Sequence, residues 1–584
     1  MDPDAKELKP TIQLIQPFLP TQVSPESTSP PDIEHHGSIV RPTLDIPLLK
    51  KWLEVCSKHG HITPKWSEPD TPFQILLIDV LQRCLVRAGA EKNYVALSYT
   101  WGGDQKIKLL RANLEQWKKP GGMLEYSEFP KTLGDAIALV RAMGESYLWI
   151  DALCIVQDDE GPDRDTQLKQ MNKVYEFARF TLIAAAGSNA DAGLPGHSLT
   201  VPLPPLLDAI AITQWRTRGW TYQEQLLSPR SLIFTPYQVY YQCDGQVFQE
   251  DFRSPSEVDG RARRNSWYSN ERLSTPMERI LCTDPRTLEL STQEGSPAGL
   301  FDRYRSVIGV YTRRDLGRKS DVIAAFSGIS AALQCFPASM GYVAGLSVGG
   351  LTNALLWTPK QPLTRRRDKI GGKEVNVFPT WSWAGWVGPV SIENVSDLNA
   401  PQVSEWWIIY GPKEKEEKVK LPIVDLKTEN YYQRQKEGPF SQRRNGAWEV
   451  SQAHTLEFRT MVATFHVSVN EGQNTSGFFP IYDAKDQWVG ALSVTSVDAQ
   501  NALQSDEAVL ETKALRLFLL VSNRSSSAAI FSDPAVFPSG KEFALNVMMV
   551  DRLASGEMER LGHGVIHITA RKEACPVKEE VRMI

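Results

Sequence analysis

Residues 94–99 read Tyr-Val-Ala-Leu-Ser-Tyr, and residues 180–186 read Phe-Thr-Leu-Ile-Ala-Ala-Ala. Both runs are short and continuously apolar, the pattern of strands covered on both faces. Between them lies Tyr147–Ile155 (YLWIDALCI), a third such run. The intervening segments have a helical period. Thr132–Met143 places Leu133, Ile137, Val140 and Arg141 in phase, with Thr132 as the expected N-cap and Gly144 as the stop. Residues 165–179 do the same with Leu168, Met171, Val174, Tyr175 and Ala178. Strand, helix, strand, helix, strand implies right-handed crossovers and a parallel sheet, hence an α/β fold.

Working outward, Phe73–Val80 (FQILLIDV) reads as a further strand. Gly219–Leu227 reads as a short helix, and Ser231–Cys243 as a hairpin turning at Pro236-Tyr237. Residues 18–42 are rich in Pro and Ser and are expected to form a mobile arm. Residues 297–334 are expected to be helical, with Tyr304, Val307, Ile308 and Tyr311 in phase, then Val322, Ala325, Ile329 and Leu333. Residues 411–447, containing Lys-Glu-Lys-Glu-Glu-Lys-Val-Lys, read as a solvated charged insertion. The stretches 455–469, 478–494, 515–521, 543–550 and 562–569 alternate like strands, so the C-terminal region should be mainly β. The expected organisation is an arm over 1–47, an α/β domain over 48–250 with its core motifs at 73–244, an irregular and helical middle over 251–400, and the charged insertion with the β-rich region over 401–584.

The chain has 584 residues and a formal net charge of −5, which gives no electrostatic case for binding nucleic acid or an anionic membrane. Its apolar runs fall far short of the roughly 20 residues a spanning helix needs, and the N-terminus lacks the basic and apolar regions of a secretory signal. Seven Cys without a CxxC pair suit reduced thiols in a cytosolic or nuclear compartment, and of the two a cytoplasmic location is expected. Sixteen Trp is a high count. Trp101, Trp149, Trp215, Trp220, Trp381, Trp383 and Trp386 fall within four distinctive stretches.

Those stretches are Tyr94-Val-Ala-Leu-Ser-Tyr-Thr-Trp-Gly102, Tyr147-Leu-Trp-Ile-Asp-Ala-Leu-Cys-Ile-Val-Gln-Asp158, Trp215-Arg-Thr-Arg-Gly-Trp-Thr-Tyr-Gln-Glu224 and Phe378-Pro-Thr-Trp-Ser-Trp-Ala-Gly-Trp386. In this order and spacing they resemble the heterokaryon-incompatibility (HET) domain family of filamentous fungi, with the domain proper over about residues 73–244. Val156 departs from the acidic or amide residue usual in that family, and Tyr222 from its usual aliphatic. The resemblance implies a role in nonself recognition and programmed cell death, with self-association or another incompatibility protein as partner.

The same order of elements is similar to TIR domains, so a flavodoxin-like or TIR-like sheet is expected. That likeness places Ser98, Tyr99, Asp151 and the Trp220-to-Glu224 run at corresponding positions. In enzymatic TIR domains the glutamate supports cleavage of the nicotinamide–ribose bond of NAD. The likeness thus implies Glu224 as the catalytic residue, Ser98, Tyr99, Trp101, Asp151 and Trp220 as substrate-binding residues, NAD as a substrate and no required cofactor. A carboxylate beneath an oxocarbenium-like centre stabilises its charge or orients the ribose 2′-hydroxyl. Equally, Glu224 could satisfy backbone donors or pair with Arg218 or Arg230, leaving a non-enzymatic interaction module or a paralogue without toxic activity.

Other chemistry is weakly signalled. Gly345-Leu-Ser-Val-Gly349 fits a nucleophile elbow, which would need a strand over 342–346 and a helix over 351–357. No downstream acid and histidine pattern accompanies it, so a serine hydrolase is a remote alternative. There is no P-loop and no HExxH. His59 with His61, and His563 with His567, lack partners for a metal; the second pair reads as sheet surface. Arg365-Arg366-Arg367 reads as a solvated loop.

Overall fold

The computed structural model describes residues 36–37, 43–58, 73–89, 92–159, 167, 170–194, 203–243, 246–253, 297–334, 341–392, 398–401, 405–410, 416–421, 453–468, 478–503, 514–524 and 544–584, apart from 104, 106, 124, 126, 127, 371 and 502. Most of the expected arm, the start of the 165–179 helix, residues 411–415 and 422–447 of the charged insertion, and His59 with His61 lie outside the described residues. The chain divides into two compact units, Met1–Cys282 and Thr283–Ile584.

The first unit is built on one ten-stranded sheet. Its strands are β1 (His36–Gly37), β2 (Gln74–Asp79), β3 (Cys84–Gly89), β4 (Val95–Tyr99), β5 (Tyr147–Ile150), β6 (Phe180–Ala184), β7 (Arg230–Phe234), β8 (Val239–Cys243), β9 (Gln246–Gln249) and β10 (Phe252–Arg253), in spatial order β1-β10-β9-β8-β7-β6-β4-β5-β2-β3. The centre, β5-β4-β6-β7, is parallel as the sequence implied. Both flanks are antiparallel: β2 pairs with β3 and β5, and β8 pairs with β7. Every residue of β4 and β6 is buried, which is why neither alternates in polarity.

Helix α1 (Ile46–Ser57) is capped by Asp45, whose carboxylate accepts from Leu48 N–H, and buries Leu48, Leu49, Trp52, Val55 and Cys56. Short helix α2 (Arg111–Trp117) and helix α3 (Lys131–Met143) connect β4 to β5. Pro130, not Thr132, caps α3; Thr132 Oγ1 instead accepts from Gly193 N–H at 2.9 Å. Gly144 does end α3, in the left-handed conformation. The expected strand 147–155 stops at Ile150, and Asp151–Cys154 forms one helical turn, α4. Helix α5 (Met171–Phe177) docks on the sheet through Tyr175, whose ring meets Trp149 edge-on at 5.7 Å. Helices α6 (Leu206–Ala211), α7 (Gln214–Thr217) and α8 (Gly219–Leu227) precede β7.

In the second unit, helices α9 (Pro297–Tyr311) and α10 (Ala324–Gln334) occupy most of the stretch expected to be helical. All eight in-phase residues named above are buried. Two of them, Tyr304 and Tyr311, contact Trp383 of the Trp-Ser-Trp segment; its ring meets Tyr311 and Phe326 edge-on at 5.9 and 5.7 Å. Strands β11 (Tyr342–Val343) and β12 (Leu346–Ser347) form a hairpin turning at Ala344-Gly345, so Ser347 is not on a strand-to-helix elbow. The following helix is a single turn, Leu351–Ala354. Gly345 has φ +81°, and a Cβ there would lie 2.5 Å from Trp383 Cζ2. The glycine pattern therefore reflects packing against Trp383.

Two of the three arginines at 365–367 are not solvated, whereas Arg367 is exposed. Arg366 is buried and donates to the carbonyls of Ala384 (2.9 Å) and Trp386 (2.8 Å). Arg365 donates to Gly385 and Phe378 carbonyls and stacks on Trp386. Burial lowers both guanidinium pKa values to about 10. These side chains fasten the turn that carries the tryptophans. The charged run is also partly a strand: Glu417–Leu421 pairs with Trp406–Tyr410, and Lys418 and Lys420 lie over the Trp407 ring.

The β-rich region closes on itself. Strands β13 (Ala453–Val467), β14 (Phe479–Tyr482), β15 (Trp488–Val494), β16 (Ala514–Arg524), β17 (Ala544–Arg552) and β18 (Met558–His567) pair antiparallel in the ring β13-β14-β15-β18-β17-β16, and β16 returns to β13. Phe465, Phe479, Ile481, Leu492, Phe518, Leu545, Val547, Met549 and Ile566 pack together in its core. Strand β19 (Val577–Met583) runs along the first half of β13. His563, expected on a sheet surface, is buried on β18, while His567 caps the next helix. Among the described residues no helix is long and apolar enough to cross a membrane.

Candidate active site

The C-terminal ends of β4 and β5 lie side by side, with Leu97 opposite Ile150. In open α/β sheets this end of parallel strands is where ligands bind. It carries Ser98, Tyr99 and, on the turn beyond, Trp101; beside them Asp151 opens α4. The turn is held tightly at Gly102, which has φ +77° and whose Cβ, if present, would lie 2.1 Å from Asn189 Cβ.

Helix α8 brings Glu224 to β4. The Ser98 hydroxyl donates to Glu224 Oε2, and the Trp215 indole N–H donates to Ser98 Oγ at 2.7 Å. Ser98, Trp215 and Glu224 are all buried. Trp215 belongs to this group, although the sequence reading gave it no site role. Thr213, two residues earlier, caps α7 by accepting from Arg216 N–H. The only advance sign was that Trp215 precedes Glu224 in one motif.

A second group centres on Asp151. Its Oδ2 accepts from the Trp101 indole N–H at 2.8 Å, and Oδ1 accepts from Ala152 N–H at 2.7 Å. Arg218 donates to the Tyr99 carbonyl at 2.6 Å and adds positive charge near Asp151. Arg230, the other arginine considered for Glu224, directs Nε to Cys56 Sγ at 3.3 Å. The Tyr99 hydroxyl is buried near Asp151 and makes no well-aligned hydrogen bond among the described residues. Tyr175 feels both Glu224 and Asp151. Thus the fold gathers five of the six expected residues at one edge of the sheet. Trp220 is half-buried and has no hydrogen-bond or ring partner among the described residues.

Burial dominates the electrostatics. It raises the phenols of Tyr99 and Tyr175 well above the ordinary tyrosine range, with nearby carboxylates adding to the effect. It also raises the Asp151 carboxyl, against the opposing hydrogen bond from Trp101 and the charge of Arg218. A raised carboxyl favours the protonated native state, so its contribution is fully present below the unfolded value and is lost as pH rises through the folded value. Relative to Asp151→Asn, the wild-type protein should therefore lose stability as pH climbs from below 3.8, the ordinary aspartate value, toward neutrality. Paired urea titrations across that range would show this; a pH-independent difference would refute it.

Among the described residues no cluster of three or more His, Cys, Asp or Glu could hold a metal ion. The site is instead two hydrogen-bonded carboxylates walled by aromatic rings.

Residues 94–224 match the family model described as Heterokaryon incompatibility protein (HET). No curated protein and no solved structure matches the chain. The match begins at Tyr94, just before β4, and ends at Glu224, so it spans both hydrogen-bonded groups. On this evidence the chain carries a heterokaryon incompatibility (HET) domain, built on the parallel core of its first unit.

Proposed function

We propose that the protein acts in fungal nonself recognition by promoting cell death, and that its HET domain does so by TIR-like hydrolysis of NAD to nicotinamide and ADP-ribose. The observation that supports this reading is the gathering of Glu224, Ser98, Tyr99, Trp101 and Asp151 at the C-terminal edge of β4 and β5. Glu224 would stabilise positive charge developing on the ribose as the nicotinamide bond breaks, with a ribose hydroxyl taking the place now held by Ser98. The buried Tyr99 hydroxyl supplies a further hydrogen-bonding group beside Asp151. Activation in this reading requires self-association or a second incompatibility protein.

Nicotinamide release from NAD by the assembled full-length protein tests the reading. Glu224→Gln keeps an oxygen able to accept from Ser98 and removes the charge. It should therefore fold normally and reduce release to the level of a protein-free control. Equal release from variant and wild type would overturn the role of Glu224.

A second reading is favoured by one specific observation: Glu224 is buried and already accepts from Ser98. A carboxylate so engaged can simply anchor α8 to β4, leaving the domain as a non-enzymatic interaction module. Absence of nicotinamide release from every assembled state would select this reading.

A further inference from the structure

Trp215 stands at the closed end of a chain of three hydrogen-bonded side chains. Its ring packs with Ile183, Leu206, Ile210, Ile233 and Tyr240 and is 0% exposed. The indole N–H donates to Ser98 Oγ at 2.7 Å, and the Ser98 hydroxyl in turn donates to Glu224 Oε2. The two helices involved are tied together, because the Thr221 hydroxyl of α8 donates to the Trp215 carbonyl of α7 at 2.7 Å.

Chemistry fixes the direction of this chain. An indole nitrogen only donates, whereas a hydroxyl donates one hydrogen and accepts through its lone pairs. With the indole N–H directed at its oxygen, Ser98 keeps its single hydrogen for Glu224. Glu224 is thereby held as an acceptor, and hydrogen bonds to an ionised carboxylate favour the ionised form. The bonds also reinforce one another: a hydroxyl that donates to a carboxylate becomes a better acceptor for the indole. Packing alone would be served by an all-carbon ring, which brings no buried N–H to satisfy.

We infer, on the reading of Glu224 as the catalytic carboxylate, that Trp215 is a positioning residue which acts through Ser98 to keep Glu224 ionised until a ribose hydroxyl replaces Ser98. During that exchange the indole retains Ser98 on β4. Tyr99 on β4, Asp151 on α4, Tyr175 on α5 and Arg218 at the head of α8 are the titratable and charged groups that share this neighbourhood. Trp215→Phe removes the indole N–H and leaves all four in place.

Two measurements on the full-length protein test this, one with catalysis and one without. In nicotinamide release by the assembled protein, Trp215→Phe should move the acid limb of the kcat/KM profile to higher pH. Losing support for a charged hydrogen bond should shift it by about one unit, about a tenfold fall in kcat/KM on that limb. The limb of kcat, which reports the complex in which Ser98 has been replaced, should stay where it is. A pH-independent fall in both parameters is what a purely structural tryptophan would give, and would overturn the inference. Without substrate, one of the sixteen indole N–H resonances should move upfield in Glu224→Gln, because Ser98 then donates to a neutral group and accepts more weakly. Its absence from the Trp215→Phe spectrum assigns it. This comparison needs neither NAD hydrolysis nor a well-folded Trp215→Phe. If no form of the protein releases nicotinamide, the catalytic reading fails while the indole shift still decides whether Trp215 acts on Glu224. No indole resonance moving in Glu224→Gln would overturn that coupling.

Discussion

Ser98→Ala should destabilise the first unit by about 2–4 kcal/mol, although only one oxygen atom is removed. That oxygen accepts from the Trp215 indole and donates to Glu224, and all three side chains are buried. Losing it leaves the indole N–H without this acceptor and weakens the tie between α8 and β4. Each buried polar group so affected costs ~1–3 kcal/mol, with more expected for a carboxylate. Ser98→Cys, which keeps a weak donor and acceptor, should recover part of the loss. Hydrogen–deuterium exchange resolved over β4, α7 and α8 would measure the effect locally. Protection unchanged in all three would show that the bond contributes nothing.

Trp383→Ala should cost about 3–5 kcal/mol in the second unit. The ring is 1% exposed, meets Tyr311 and Phe326 edge-on, and directs its indole N–H toward the Tyr304 hydroxyl and the Gly345 carbonyl, each at 3.2 Å. Its removal creates a large apolar void among α9, α10 and the β11–β12 hairpin, and close-packed surroundings relax only partly into such a void. Near-ultraviolet circular dichroism during denaturant unfolding would follow the loss of this aromatic cluster. Trp383→Phe should retain most of the packing and lose only the indole hydrogen bonds. A Trp383→Ala cost below ~1 kcal/mol would contradict the packing argument.

Much of the parallel core was legible because continuous apolar strands and helices of period 3.6 differ plainly in sequence. The end of β5 was not. Ala152-Leu153-Cys154 is apolar, and a run that short reads equally as strand or helix. Strand β3, Cys-Leu-Val-Arg-Ala-Gly, escaped because it carries a charge and ends on glycine. Arg365 and Arg366 were read as solvated because their partners are main-chain carbonyls, which leave no trace in side-chain composition. Glu224 and Ser98 were both named, but their bond spans 126 positions, and only the fold brings them together. Ring closure of β16 onto β13 was hidden for the same reason: alternation reveals strands, not their neighbours.

Arg560 and the carbonyl of Leu355 that it holds are 205 positions apart. During synthesis at ~5–20 residues per second, the Leu355 segment would wait about 10–40 seconds for its arginine to be made. The tryptophans at 357, 381 and 383, all fully buried in the finished protein, precede the barrel that supplies Arg560. The nascent chain thus leaves the ribosome with an aromatic segment awaiting part of its final support, and this interval is where a folding helper would have most to protect. Slowing translation between codons 386 and 560 should lower the yield of folded protein more than an equal delay downstream of codon 567.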